Sequence, residues 1–418
     1  MNTLLIRGGR PLYGELRCPG AKNSALPVLA ASLLVPGETV IEGVPAIADV
    51  ESSVRILRHL GAICTLRGNE LSVDAGGEIA GAVPEELMRE MRSSFIFLGA
   101  LLSRTGRAEI SAPGGCEIGQ RPVDLHLYAI ERLGAKITHE AGVIRCEAPS
   151  GLTGATLHLS FPSVGATENA MLAAVLAKGE TNIENAAREP EISDLADFLN
   201  AMGADVRGAG GSSVRIRGVT RLRPTRHKII PDRIAAATFL LAGAITGGSV
   251  RVTDLIPGHL GPVPELLERT GCRILTDETS VAVTAAKRPT SVGTVRTMPY
   301  PGFPTDIQAP FTAMLGLSKG TSVMIETIFE SRYKYVAELT RFGAKIRTDA
   351  RTAVIEGVDR YHPACAESPD LRGGAALVLA ALAAAGESRV SGARLIDRGY
   401  EHIETTLGAL GADIRRMD

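Results

Sequence analysis

A phrase ending in glycine occurs six times along the 418 residues: LRHLGA closing at Gly61, IERLGA at Gly134, LNAMGA at Gly203, LERTGC at Gly271, LTRFGA at Gly343 and LGALGA at Gly411. The successive gaps are 73, 69, 68, 72 and 68 residues. Such regularity means one supersecondary unit written repeatedly, and it excludes folds that lack internal repetition. Each phrase closes an amphipathic helix, as over Asp194–Met202, and the glycine supplies the left-handed cap that ends a helix cheaply. After the first five comes an alternating run, such as Lys136–Thr138 or Ala344–Arg347, that reads as a strand. The sixth such run, Asp413–Arg416, closes the sequence.

A second phrase precedes the first in each repeat. VLAASLLVPGETVIEG, MLAAVLAKGETNIEN, FLLAGAITGGSVRVTD and LVLAALAAAGESRVSG show it best, and FLGALLSRTGRAEISA and FTAMLGLSKGTSVMIE follow more loosely. The helix in each is apolar nearly all round and must be buried on every side, whereas the glycine-closed helices cover the outside. The unit therefore reads as strand, buried helix, strand, surface helix, strand, over about 70 residues. Six units exceed one comfortable core, so the fold class is α/β in two domains of three repeats each. The expected domains are residues 20–229, and residues 1–19 with 230–418. The break falls near the Arg/Pro-rich stretch RLRPTRHKIIP, and the N-terminal strands close the second domain.

Lys and Arg total 45 against 46 Asp and Glu, so no global charge pulls the chain toward nucleic acid or an anionic membrane. Aromatic residues are only 4% with no Trp, which argues against base-stacking platforms. The longest apolar stretch, Gly373 to Gly386, is shorter than the roughly 18 residues of a membrane span, and residues 1–17 carry no signal-peptide core. Six scattered cysteines show no CxxC and no histidine at metal-ligand spacing, so the expectation is a reduced, cytoplasmic protein without a metal.

Charges collect where the buried helices begin: Lys22-Asn23, Arg92-Ser93, Thr167-Glu168-Asn169, Asp232-Arg233, Asp306, and Asp370 with Arg372. A helix N-terminus carries partial positive charge and free N–H groups, so Asp232 and Asp370 read as caps. Lys22, Arg92 and Arg372 are electrostatically wrong there unless an anion sits between, which points to a site for a multiply anionic small molecule. The loop Pro113–His126 is the other anomaly. Its Cys116, framed by glycines and near Arg121 and His126, has no packing reason to be a cysteine and suits a thiol with a lowered pKa. Cys64, Cys146 and Cys272 read as buried structural thiols. The GxSxG at Gly316–Gly320 lies at a helix end and reads as a terminator, and no P-loop or Rossmann glycine pattern opens a helix after a strand. The Arg221–Lys228 charge run reads as a solvated linker.

PGAKNSALPVLAASLL, PGGCEIGQRPVDLHL, FPSVGATENAMLAA, YPGFPTDIQAPF and IDRGYEHIE together resemble the signature segments of the enolpyruvyl transferase family, and in particular of its UDP-N-acetylglucosamine 1-carboxyvinyltransferase branch. The likeness runs in order from about residue 5 to 417. It implies two inside-out α/β barrels of three repeats each around buried helices, with the active site in the cleft between them. The implied reaction moves the enolpyruvyl group of phosphoenolpyruvate (PEP) onto the 3-hydroxyl of UDP-N-acetylglucosamine, through a tetrahedral ketal, with release of phosphate. It is the first committed step of peptidoglycan synthesis, tied to cell shape and cell division, and it needs no metal or organic cofactor.

The same resemblance assigns residues. Lys22, Arg121 and Arg398 hold the phosphate and carboxylate of PEP, with Asn23 and Arg372 beside them; arginine suits both anions because its fork is bidentate. Cys116 is the proton donor to the PEP methylene, forms an adduct with PEP and is the group fosfomycin alkylates. Asp306 is the base for the sugar hydroxyl, and an N-capping role for it is physically compatible. The nucleotide sugar contacts Asn23, Arg92, Arg121, Pro122, Val123, Asp124, Leu125, Ser163, Val164, Gly165, Asp306 and Ile328. Glu330–Tyr335 (ESRYKY) departs from the usual Glu-Asn-Arg-Phe-Met-His, and Leu371–Ala375 has Gly where Ala is common; the first lies beside the sugar contact at Ile328 and is expected to leave the PEP site alone. Two rival readings are a 3-phosphoshikimate or other-nucleotide transferase and a non-catalytic nucleotide-sugar-binding paralogue. Oligomeric state is not legible in the sequence.

Overall fold

The computed structural model describes residues 2–90, 94–111, 123–140 and 142–417. Arg92, Cys116, Arg121 and Pro122 lie outside the described residues. The repeat is plainest between residues 156 and 217. Strand Thr156–His158 leads into the buried helix Val164–Ala174, then strand Glu180–Glu184, surface helix Pro190–Ala201, and a hairpin of Asp205–Arg207 with Ser213–Arg217. The first two strands pair in parallel, as a crossover through a helix requires, and the hairpin strands pair antiparallel.

The unit thus holds four strands, not the three that the alternating runs suggest. The last strand inserts between the other two, and without it the strand after the surface helix has no edge to pair with. Six such four-stranded sheets are present among the described residues. The six phrase-closing glycines all sit at φ between 90° and 103°, the left-handed cap their position demands.

The chain divides into two compact units. Among the described residues, one lies within 20–230, and the other comprises 2–19 and 231–417. In the second unit the N-terminal strand Thr3–Gly8 supplies the hairpin strand that the last repeat lacks, pairing antiparallel with Gly386–Ser391 and with Asp413–Met417. Strand Tyr13–Arg17 pairs in parallel with Ser249–Thr253 and completes the sheet of the fourth repeat. In the first unit the corresponding gap is filled by Arg226–Lys228, parallel to Glu38–Glu42. The solvated-linker reading of Arg221–Lys228 is therefore wrong for its last three residues. They form a strand because the first repeat has no strand of its own before its buried helix, and Arg226 reaches Glu42 and Glu70 across the sheet.

The apolar helices are buried along their bodies, and in Arg233–Ile245 every residue is buried. Close helix approach depends on small residues: a Cβ on Gly99 would stand 2.4 Å from the carbonyl oxygen of Asn169. No helix among the described residues is long and apolar enough to cross a membrane.

Candidate active site

In the first unit, helix Lys22–Ala31 begins after Ala21, which offers no capping side chain, and its first turn contains no acid. The lysine at this end is balanced from outside the helix. Lys22 Nζ lies 2.6 Å from Asp49 Oδ2, with the side chains only 9% and 2% exposed. Asp49 in turn occupies the first turn of helix Ala48–His59, where a carboxylate suits the helix dipole. The anion that the sequence demanded beside Lys22 is thus present in the chain itself.

One residue beyond the half-buried Asn23, the Ser24 hydroxyl donates to Asp194, and Asp194 Oδ1 also meets His227 Nε2 at 2.9 Å. Two buried aspartates from two surface helices therefore hold the first turn that carries Lys22 and Asn23.

The second cluster of this unit surrounds helix Val164–Ala174. Ser163 caps it, its hydroxyl accepting from Ala166 N–H, while Thr167 donates back to the Ser163 carbonyl at 2.8 Å. Asn169 fixes the neighbouring histidine. Its Oδ1 accepts the Gly99 N–H at 2.8 Å and its Nδ2 donates to the Phe95 carbonyl at 3.0 Å, so the second Nδ2 proton points at His126 Nδ1, 2.7 Å away. That nitrogen must accept, which assigns the His126 proton to Nε2.

A Cβ on Gly165 would stand 2.9 Å from His126 Cε1, so glycine is required there. Ser163, Val164, Gly165, Val123 and Leu125 are half-buried and Asp124 is exposed. Glu168, fully buried, is held well above the ordinary carboxyl range by burial first and by Glu191 and Glu189 second.

In the second unit Asp306 lies in the first turn of helix Thr305–Leu315, whose cap position is Pro304 with no side-chain bond. Capping, which the sequence allowed for Asp306 beside its role as the base, is not its place here, since Pro304 holds the cap position. Oδ1 accepts from Arg332 Nη2 at 2.8 Å and Oδ2 from Arg372 Nη2 at 3.0 Å, because two buried guanidinium groups outcompete free backbone N–H groups. Both arginines are almost completely buried, at 4% and 3%, while the carboxylate between them is 27% exposed and remains reachable.

Asp232 and Asp370 do cap, each accepting two backbone N–H bonds at the start of its helix. Arg372 lies 5.3 Å over the Tyr400 ring, and its Nε and Nη1 have no hydrogen-bond partner among the described residues. Burial opposes its charge, but Asp306 foremost among its neighbours outweighs that and raises its pKa. A buried cation with donors to spare is a place for an anion.

Arg398 and Ile328 are half-buried in the same unit. The Glu330–Tyr335 segment, which the sequence placed beside the sugar contact at Ile328, also reaches Asp306: Arg332 within it clamps that carboxylate, and Tyr335 O–H donates to Gln308 Oε1 at 3.0 Å.

Asp49, Asp194 and Arg332 were not singled out in the sequence as partners of the functional residues. Asp49 sits in an ordinary amphipathic helix, and nothing in its spacing from Lys22 signals the contact.

The chain matches the family model described as EPSP synthase (3-phosphoshikimate 1-carboxyvinyltransferase) over residues 6–407. It is 48% identical over 417 residues to a protein of Caldanaerobacter subterraneus subsp. tengcongensis named UDP-N-acetylglucosamine 1-carboxyvinyltransferase 2, covering 100% of both chains. It is 47% identical to the UDP-N-acetylglucosamine 1-carboxyvinyltransferase of Finegoldia magna, covering 100% of this chain and 99% of that one. Among solved structures it resembles the enolpyruvyl transferase NikO from Streptomyces tendae with a TM-score of 0.90, at 27% identity over 100% of this chain and 99% of that one. It shares the fold of EPSP synthase from Acinetobacter baumannii with a TM-score of 0.76 at 18% identity, covering both chains completely. The repeat architecture, the anion-ready arginines and these full-length likenesses agree: the chain belongs to the EPSP synthase family of enolpyruvyl (carboxyvinyl) transferases and groups with its UDP-N-acetylglucosamine 1-carboxyvinyltransferase members.

Proposed function

We propose that this enzyme transfers the enolpyruvyl group of PEP to the 3-hydroxyl of UDP-N-acetylglucosamine and releases phosphate, the first committed step of peptidoglycan synthesis. The observation that carries the reading is the Asp306 carboxylate, reachable from solvent and held between two buried arginines, both of which keep donors without a partner among the described residues. Relatives at 45–49% identity over the full length are named for that reaction.

Cys116 gives a proton to the PEP methylene carbon, which places positive charge at the adjoining carbon. The sugar oxygen attacks there while Asp306 takes its proton, and a tetrahedral ketal results. Loss of a methyl proton then restores the double bond as the phosphate leaves with its bonding pair. Lys22, Arg121, Arg372 and Arg398 offset the charge of PEP and of the departing phosphate, with Asn23 beside them. Arg92, Arg121, Pro122, Val123, Asp124, Leu125, Ser163, Val164, Gly165 and Ile328 contact the nucleotide sugar, together with Asn23 and Asp306. The atoms balance without a redox cofactor or metal.

Phosphate release from PEP, run with UDP-N-acetylglucosamine, with shikimate 3-phosphate and with no acceptor, tests the reading. Release with the nucleotide sugar alone, lost in Cys116→Ala and blocked by fosfomycin in the parent, supports it. Release with shikimate 3-phosphate would reassign the acceptor, and none with either would favour a binding-only paralogue.

A further inference from the structure

Glu326 directly follows strand Thr321–Ile325 and is 1% exposed, yet it carries a carboxylate. Such a group is costly to bury unless its lone pairs are filled, and here four donors fill them. Oε1 accepts from Thr297 Oγ1 at 2.9 Å, from Ile328 N at 2.8 Å and from Phe329 N at 3.1 Å, and Oε2 accepts from Thr305 Oγ1 at 2.9 Å. None of these donors is a cation, so the carboxylate is not there to neutralise charge.

The donors belong to three separate segments, and two of them lead to the site. Thr305 precedes Asp306 in the chain. Ile328 is the residue assigned to the nucleotide sugar. Phe329 places its ring 5.4 Å from the guanidinium of Arg332, which holds Asp306 at 2.8 Å. Thr297 ties the turn down a second time, accepting from Thr327 N at 2.8 Å.

We propose that Glu326 is a positioning residue that fixes the base, Asp306, relative to the acceptor contact, Ile328, so that one buried carboxylate sets both proton removal and acceptor binding. The proposal rests on the reading of Asp306 and Ile328 given above. Its logic is geometric: a shift of order an ångström between base and hydroxyl costs rate steeply, whereas a displaced turn costs acceptor affinity. The two arms can be cut separately. Thr305→Val removes the hydroxyl on the Asp306 arm and leaves the turn at 328–329 alone; Glu326→Ala removes both.

Steady-state phosphate release, with UDP-N-acetylglucosamine and PEP varied in turn, tests this. Glu326→Ala is expected to lower kcat by roughly tenfold or more and raise KM for the nucleotide sugar several-fold, with KM for PEP within about twofold. Thr305→Val is expected to lower kcat with KM for the sugar unchanged. Glu326→Gln keeps an acceptor for the two backbone N–H groups and can donate to Thr305, so it should recover most of both losses.

A purely structural role would lower kcat in Glu326→Ala only in step with its folded fraction and leave KM for the sugar alone; that result in Glu326→Ala overturns the proposal, as does a folded Glu326→Ala with wild-type parameters. If Glu326→Ala does not fold, an unchanged kcat in Thr305→Val is equally fatal. A wild-type chain inactive with this acceptor defeats the functional reading and this inference with it, whereas an active one leaves the variants to judge Glu326 alone.

Discussion

Replacing Asp49 by alanine removes the carboxylate 2.6 Å from Lys22 Nζ and leaves an ammonium in a place where its side chain is only 9% exposed. Taking away one partner of a buried ion pair costs about 3–5 kcal/mol, because the remaining charge keeps its desolvation penalty without the attraction that offset it. The unit that holds the pair lies within residues 20–230. For a domain of that size, about 2–4 °C of melting temperature goes with each kcal/mol, so a fall of roughly 6–20 °C is expected. Replacing the whole pair is different. A buried ion pair exchanged for apolar groups of similar volume is neutral or stabilising, by up to about 4 kcal/mol. The double variant Lys22→Met/Asp49→Leu should therefore melt at or above the wild type, yet release no phosphate from PEP. Thermal melts of the three variants beside the phosphate assay decide it. An Asp49→Ala variant that melts within about 2 °C of wild type, or a double variant that melts as low as the single, refutes the energetic argument. A double variant that turns over refutes the role given to Lys22.

Gly99→Ala should destabilise, although alanine is about 1 kcal/mol the better helix former, because its Cβ would meet a backbone carbonyl at 2.4 Å; a higher melting temperature would contradict the helix-crossing geometry. Glu168 is raised above its ordinary 4.5, so the folded state holds a proton that the unfolded chain gives up. Its stabilising contribution is full below that value and is lost as pH rises toward the folded pKa. Glu168→Gln should accordingly melt higher than wild type at neutral pH, with the advantage vanishing near pH 4.5, as a pH series of melts would show. Burial raises the thiol of Cys18, pushes Cys64 to about 11 and Cys146 to about 12, and Cys365 is exposed. Iodoacetamide on the native protein at neutral pH should therefore spare the first three and label Cys365, with Cys116 labelled and protected by substrate. Peptide mass mapping reads this directly.

The repeat, the buried helices and the glycine caps are legible in the sequence because each depends on neighbours within a turn or two. Gly61 and its five counterparts show their φ in composition alone, since the chain there must end a helix and turn. Asp232 and Asp370 were readable as caps for the same local reason. Asp306 was not. Its place in the first turn suggests a cap, and only the approach of Arg332 and Arg372, 26 and 66 residues away, turns it into a clamped carboxylate.

The sequence by itself determined which residue types stand at the helix starts, and through the family segments it identified the chemistry they serve. Tertiary structure decided who partners whom: Asp49 with Lys22, Asp194 with Ser24 and His227, Glu326 with three segments, and the N-terminal strand with the last repeat. These pairings join elements far apart in the chain, and they arise because buried charges and open strand edges must each find a partner that local periodicity does not encode.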